Sequence, residues 1–426
     1  MKKVCVVGLG YIGLPTAAMM AAKGFQVLGV DVDQSIVDTV NSGHVHIEEP
    51  GLVGLVRHVV SAGTLTAAIR PQWAHAYIIA VPTPVNADGS ADLGAVRAAA
   101  RSIAQVFKKG ALVVLESTSP PRTTIDVVKP ILEESGLKAG PDFYLAYSPE
   151  RVLPGRIVEE LRSNDRVVGG IDDPSTEAAA RLYEQFVEGE IHRTTSSTAE
   201  MVKLIENTFR DVNIALANEF ALVAEVVDVN VWQAIALANC HPRVNIHSPG
   251  PGVGGHCIAV DPFFLVEAAP DQAKIIALAR QINDGMPAHT ISGIQAAVRQ
   301  GATIACLGLT FKPNVDDVRE SPALQIAHTL NARGYRIRAH DPHVAPDGLD
   351  CFKTVEEAVD GADAVVLLVD HREYWQITPE TLQRMAGRSI FDTRSCLDEQ
   401  LFLDAGYEYR LLGAGSFISK RQLAAA

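Results

Sequence analysis

KVCVVGLGYIG, residues 3–13, decides the fold. The run up to Gly8 is apolar and valine-rich, as in a buried strand, and Gly8, Gly10 and Gly13 follow in the spacing G-x-G-x-x-G around Tyr11 and Ile12. The alanine- and methionine-rich stretch to Lys23 reads as a helix and QVLGV as a second strand, with Asp31 at its end. Strand, glycine turn, helix, strand and acid in that order make a dinucleotide site. The glycines permit a tight turn and let a pyrophosphate approach the helix N-terminus, whose N–H groups and dipole favour negative charge. Asp31 is suited to accept ribose hydroxyls, and its charge repels a 2′-phosphate, so the expected cofactor is NAD and not NADP.

The alternation continues. AYIIAVPTP (76–84), ALVVLESTSP (111–120) and FYLAYSPERVLPG (143–155) read as buried strands that deliver loops to one crevice, carrying Thr83, Ser117, Thr118, Glu150 and Arg151. Turn chemistry and helix capping are the plain alternatives for the hydroxyl residues. From Ser197 the period becomes helical: Ser197 and Glu200 fit a capping box, and Met201, Leu204, Ile205, Thr208 and Val212 are expected on one face. Lys203, Asn207 and Arg210 fall opposite, and the apolar stretch 212–227 is expected to be buried in a domain joint or a dimer interface. A third unit opens with GATIACLGLTFKP (301–313), and GYRIRAHDP (334–342) sets Asp341 where Asp31 stands in the first. This is a second doubly wound domain without the complete glycine fingerprint.

Between these units lies PGPGVGGHCIAVDPFFL, residues 249–265. Its glycines and prolines forbid regular structure and let backbone N–H groups approach a ligand. Cys257 follows His256 in this loop and precedes Asp261 by four residues. Neighbouring His256 and exposed N–H groups favour a thiolate, so Cys257 reads as a nucleophile, with a buried structural cysteine as the alternative.

Composition sets bounds. At 426 residues the chain needs two or three domains, and its net charge of −13 argues against nucleic acid or an anionic membrane as partner. The N-terminus runs from Met-Lys-Lys into a strand, which predicts no signal peptide and a cytoplasmic protein. The six cysteines show no paired or ligand spacing, Cys5 and Cys306 read as core, and His44 and His46 lack further ligands, so no metal is expected.

VGLGYIGLP, AVPTP, ESTSP, SPERVLPG, AEMVKLIENTFRDVNIALANE, GPGVGGHCIAVDP and GLTFKPNVDDVRESP, taken in order, resemble the nucleotide-sugar 6-dehydrogenases, the group of UDP-glucose and GDP-mannose dehydrogenases. ENTFRDVNIALANE, NCHPRVNI and ERVLPG are most similar to the branch acting on UDP-N-acetyl-D-mannosamine, with UDP-N-acetylglucosamine and UDP-glucose as alternative substrates. One departure is Pro121-Arg122, where the family has a small residue and Gly, which implies a stiffer backbone in the cofactor loop.

The resemblance implies an α/β protein with two Rossmann-like doubly wound domains joined by a central helical domain with a long helix. Its expected parts are an NAD domain (1–195), a central domain with the cysteine loop and homodimer interface (196–298), and a UDP-binding domain (299–426). It implies oxidation of a sugar C6 alcohol to a carboxylate with two NAD and one water. Cys257 would form a thiohemiacetal and then a thioester; Lys203 and Asp261 would hold a water that acts as base. Asn207 would join Lys203 at the oxyanion, and Glu150 and Thr118 would position the hydrolytic water. Cofactor contacts are implied at Gly8, Gly10, Tyr11, Ile12, Gly13 and Asp31, and at Pro82, Thr83, Ser117, Thr118 and Arg319. Substrate contacts are implied at Glu150, Arg151, Val152, Lys203, Asn207 and Arg210, and at His241, Arg243, Gly250, Gly252, Gly254, Phe311 and Lys312, with Arg243 reaching a neighbouring subunit. The competing readings are a beta-hydroxyacid dehydrogenase, which needs no cysteine, and an NAD-binding regulatory protein without turnover.

Overall fold

Valine-rich strands with both faces buried demand helices on either side of a parallel sheet, and the chain builds two such sheets. The computed structural model describes residues 2–86 and 88–417. The chain divides into two compact units, Met1–Glu206 with Phe263–Pro270, and Asn207–Pro262 with Asp271–Ala426.

The first unit contains β1 (Lys3–Val7), β2 (Gln26–Val30), β3 (Leu65–Ala68), β4 (Ala76–Ile79), β5 (Leu112–Leu115), β6 (Tyr144–Tyr147), β7 (Arg166–Gly170) and β8 (Ile191–Thr195). Their order is β3-β2-β1-β4-β5-β6-β7-β8, parallel throughout except where β7 runs against β6. The first six follow the doubly wound order of dinucleotide-binding folds. Along β1, Val4 and Val6 enter one core layer with Val27 and Ile78, while Cys5 and Val7 enter the other with Tyr77 and Ile79. Each such aliphatic side chain contributes about 1.5–3 kcal/mol on burial. Cys5 is a core residue, and burial pushes its thiol up to about 12.

The second unit contains β9 (Thr303–Leu307), β10 (Arg336–His340), β11 (Asp350–Cys351), β12 (Ala364–Leu367), β13 (Ser389–Asp392) and β14 (Glu408–Leu411), in the order β11-β10-β9-β12-β13-β14, all parallel. The strand order repeats that of the first unit, and so does the opening turn. Asp31 accepts the Leu9 N–H at 2.9 Å, and Asp341 accepts the Leu309 N–H at 2.7 Å. Cys306 lies fully buried in this sheet.

The helix Ser196–Val227 is continuous over 32 residues. It has no capping box between Ser197 and Glu200. The Thr195 hydroxyl accepts the Thr198 N–H, and the buried Glu200 carboxylate instead accepts the N–H groups of Arg122 and Thr124 and the Thr124 hydroxyl. The expected apolar face is also corrected. Leu204 and Thr208 are buried, yet Met201 and Ile205 are exposed, because the inward face is lined by Asn207, Asp211 and Asn218. These polar groups have buried side-chain partners in Asp261, Arg280 and Asn283. The stretch 212–227, expected to be buried on most sides, shows Leu216, Phe220, Val223 and Val227 on its surface.

Candidate functional site

In the first unit the loops after β1, β4, β5 and β6 leave the carboxyl ends of parallel strands, the edge at which doubly wound sheets bind ligands. Gly8 has φ +96°, and a Cβ there would stand 2.4 Å from the Ala80 carbonyl oxygen; a Cβ on Gly13 would lie 1.8 Å from the Gly8 oxygen. Only glycine fits either place. Gly10 is different, since nothing lies within 4 Å of its would-be Cβ, and that open space is the cradle a pyrophosphate needs. Asp31 is half-buried and uses one oxygen on Leu9 and the other on the Asp33 N–H, so two of the roughly four acceptor sites of a carboxylate are taken. The Thr83 hydroxyl is buried without a hydrogen-bond partner. These residues fit NAD. Tyr11 and Pro82 are exposed beside the turn and Ile12 is half-buried. Ser117 has its hydroxyl committed to the loop itself, donating to the Val81 oxygen at 2.7 Å and accepting the Val81 N–H at 3.0 Å. Thr118 is half-buried next to it.

Arg122 takes φ +75°, the left-handed conformation that glycine adopts freely. The conformation is held because its N–H reaches Glu200 at 2.5 Å and its guanidinium pairs with Asp126. The Pro121-Arg122 departure therefore keeps a glycine-type turn, pinned by a carboxylate.

Further along the same edge, Lys203 donates to the backbone carbonyl of Glu150 at 2.7 Å. Arg151, next to Glu150, bonds the Glu206 carboxylate at 2.9 Å and the Asp165 carbonyl, and Val152 is half-buried beside it. Sequence reading brought Lys203 and Glu150 to one site, and they meet.

In the second unit, Cys257 is half-buried and in no disulfide. Its carbonyl accepts the Asp261 N–H at 2.8 Å, so the thiol sits one turn before the helix Asp261–Ala268. Asp261 and Asn207 are both 2% exposed; Asn207 donates to the Asp261 carboxylate and accepts from the Arg210 guanidinium. The loop ahead of Cys257 is tightly fitted. Cβ atoms on Gly254 and Gly255 would fall 2.3 Å from the Glu320 oxygen and 2.7 Å from the Phe311 ring, and the Gly255 N–H reaches the Arg319 carbonyl at 3.2 Å. The polar insert after β9 is thus the wall of the cysteine loop, bringing Phe311, Lys312 and Arg319 to it. Arg319 pairs with Asp317. His241 and Arg243 are exposed in a turn after the helix Val231–Ala238.

Sequence reading missed what anchors this loop. The Gly250 N–H donates to Asn218 at 2.9 Å; Asn218 donates to Asn283 at 2.8 Å, and Asn283 to the Asp211 carboxylate at 2.8 Å, which Arg280 also holds at 2.6 Å. The signal was present, since Asn207, Asp211 and Asn218 recur at helical spacing. Arg394, after β13, was also missed. It pairs with Asp370 and fills the space beside Gly250, while Pro322 and Pro287 fill that beside Gly252, and a hollow opens between Thr310, Pro322, Val369 and Arg394. Among the described residues His343, His371 and Glu373 gather ligand-type atoms within 4.8 Å. His371, however, already accepts the Asn314 N–H at Nδ1 and faces Asp341 with Nε2.

Residues 2–187 match the NAD binding domain of the UDP-glucose/GDP-mannose dehydrogenase family, residues 197–285 its central domain and residues 305–399 its UDP binding domain. The chain belongs to the UDP-glucose/GDP-mannose dehydrogenase family. It is an NAD-dependent oxidoreductase of nucleotide sugars. A UDP-N-acetyl-D-mannosamine dehydrogenase of Methanococcus maripaludis is 45% identical to it over 98% of both chains. An NDP-N-acetyl-D-galactosaminuronic acid dehydrogenase of Ralstonia nicotianae is 47% identical over 92% of this chain and 96% of its own. The solved UDP-D-ManNAc dehydrogenase of Pyrococcus horikoshii superposes with a TM-score of 0.90 at 42% identity, covering 97% of this chain and all of that one. Among the described residues no helix is long and apolar enough to cross a membrane.

Proposed function

We propose that this family member oxidises UDP-N-acetyl-D-mannosamine at C6 to the uronate, a cytoplasmic step toward surface polysaccharide. The observation that carries the mechanism is the turn in which the Cys257 thiol precedes Asp261, whose carboxylate is bonded to Asn207. Nearly full-length relatives bearing that substrate's name support the choice of sugar.

Bound NAD supplies the hydride acceptor, one molecule for each oxidation. Gly8, Gly10, Gly13 and Asp31 would hold it, with Thr83 offering a hydroxyl. Water acting as general base, with Lys203 and Asp261 as the residues assigned to it, takes the C6 hydroxyl proton in the first oxidation. The Cys257 thiolate adds to the aldehyde carbon, which keeps the aldehyde from escaping, and Lys203 and Asn207 stabilise the oxyanion. Loss of the second hydride and of the hydroxyl proton leaves a thioester on Cys257. Water positioned by Glu150 and Thr118 attacks that carbon and releases the thiolate. For each sugar, two hydrides and three protons leave and one oxygen enters from water. The sugar nucleotide is assigned to Arg210, Phe311, Lys312 and the Gly250–Gly254 backbone.

The three-part division at 1–195, 196–298 and 299–426 goes with this reading. So does a homodimer, built on the apolar stripe Phe209, Leu216, Phe220, Val223 and Val227, with Arg243 offered to the partner. The Ralstonia relative favours N-acetylgalactosamine as a second reading of the sugar. The test is a panel of UDP- and GDP-sugars, including N-acetylmannosamine, N-acetylglucosamine, N-acetylgalactosamine and glucose, scored by NADH production. Fastest turnover of UDP-N-acetyl-D-mannosamine is expected; preference for another sugar overturns the assignment, and uronate formed by Cys257→Ala overturns the covalent route.

A further inference from the structure

The first unit buries a charged cluster of which the reaction as written uses only Glu150. Glu116 directly follows β5, Arg166 begins β7 and Glu150 follows β6, so adjacent strands bring two carboxylates to one guanidinium. Nη2 of Arg166 stands 2.7 Å from Glu116 Oε1 and 3.0 Å from Glu150 Oε2, and the side chains of Glu116, Arg166 and Glu150 are 0%, 5% and 9% exposed. The Arg166 Nε donates to the Ser148 hydroxyl at 2.9 Å, and its guanidinium lies over the Tyr183 ring. The Tyr183 hydroxyl donates to Glu116 Oε1 at 2.6 Å. Glu150 uses its other oxygen on the Arg151 N–H at 2.7 Å. Glu116 Oε2 is buried without a partner.

Two carboxylates facing one cation in a sealed site do not both ionise freely. We infer that Glu116 and Arg166 are positioning residues for Glu150: Arg166 is shared between the two carboxylates, and the proton state of Glu116 sets how much of that cation aims and holds Glu150. Burial pushes Glu116 up to about 7, with Arg166 opposing and Glu150 adding to the shift. A protonated Glu116 leaves Arg166 to Glu150 alone; an ionised Glu116 draws it back. Arg166 itself stays charged. The inference rests on the assignment of Glu150 to thioester hydrolysis, since only that step passes through Glu150.

The experiment is a rapid-quench turnover of UDP-N-acetyl-D-mannosamine by the full chain with NAD from pH 6 to 9, reading both NADH formation and the acyl-enzyme mass. Wild type, Glu116→Gln, Arg166→Lys and Glu150→Gln are compared, with melting temperature recorded for each. Glu150→Gln accumulates acyl-enzyme. Arg166→Lys, which keeps the charge but loses the planar fork, does the same, hydrolysing about 10- to 100-fold more slowly while the first oxidation stays near wild type. Glu116→Gln folds, keeps an acceptor for Arg166 and Tyr183, and loses the inflection of hydrolysis near neutral pH. Should Glu150→Gln accumulate acyl-enzyme while Glu116→Gln retains the wild-type pH profile, the positioning inference is overturned and the Glu150 assignment stands; this arm decides even where Arg166→Lys does not fold. Absence of acyl-enzyme in Glu150→Gln overturns the Glu150 assignment itself.

Discussion

Lys203 donates its ammonium to the backbone carbonyl of Glu150 at 2.7 Å, tying the start of the long helix to the loop after β6. The carbonyl holds the ammonium group at a fixed place. Replacing it by Ala is expected to lower kcat about 100- to 1000-fold, the usual effect of removing an oxyanion donor, with a small change in KM. Arg at this position is not expected to rescue, because its planar fork places the donors differently. Steady-state kinetics of both variants check this, and a KM effect with intact kcat would make Lys203 a binding residue only.

Glu200 accepts three hydrogen bonds from the Arg122–Thr124 turn. Glu200→Ala strands buried donors and releases the left-handed Arg122, so a loss of about 3 kcal/mol is expected in denaturant unfolding. Arg122→Gly in the Glu200→Ala background recovers part of it. An unchanged midpoint in Glu200→Ala would show that the turn does not depend on this carboxylate.

Glu116 makes stability depend on pH in a direction opposite to most carboxylates. Burial first, then Glu150, raise it from 4.5 to about 7 in the folded state while Arg166 opposes. The folded state therefore holds its proton more tightly than the unfolded chain. The sign follows: stability falls as pH rises from 4.5 to about 7, and the loss is complete above that. Glu116→Gln has no proton to lose, so its stability relative to wild type should rise across this window and level off above it. Melting temperatures of the two proteins from pH 4.5 to 8 test this; parallel curves would contradict it.

The stripe at Phe209, Leu216, Phe220, Val223 and Val227 advances by 7, 4, 3 and 4 residues, a helical seam left on the surface. Asp at both Phe220 and Val223, whose side chains are 40% and 53% exposed, is expected to halve the sedimenting mass while leaving the fold intact. A wild type that already sediments as one chain would remove the homodimer.

The parts of the molecule written in local pattern were legible. The glycine turn with Asp31 and the echo at Asp341 are set by neighbours within one βαβ unit, so spacing alone revealed both doubly wound sheets. Cys257, Asp261 and Asn207 are joined within one unit by a backbone turn and a side-chain hydrogen bond. Contacts of long sequence range were less accessible. Glu200 looked like a cap for its own helix because the spacing Ser197 to Glu200 fits one, yet tertiary burial sends its carboxylate to Arg122 and Thr124. The inward face of the helix was misread because its residues are polar: hydrophobicity cannot reveal that Asp211 and Asn218 are bonded by Arg280 and Asn283, about 70 residues on. The strand Arg166–Gly170 carries a buried arginine whose partners come from two other strands, and nothing near it in sequence announces them.

In the proposed route one cysteine carries a sugar through two oxidations without release. The most direct measurement is the number of NADH formed for each UDP-N-acetyl-D-mannosamine consumed to completion. Two NADH with uronate as the only product is the expected result; one NADH with free aldehyde would contradict it.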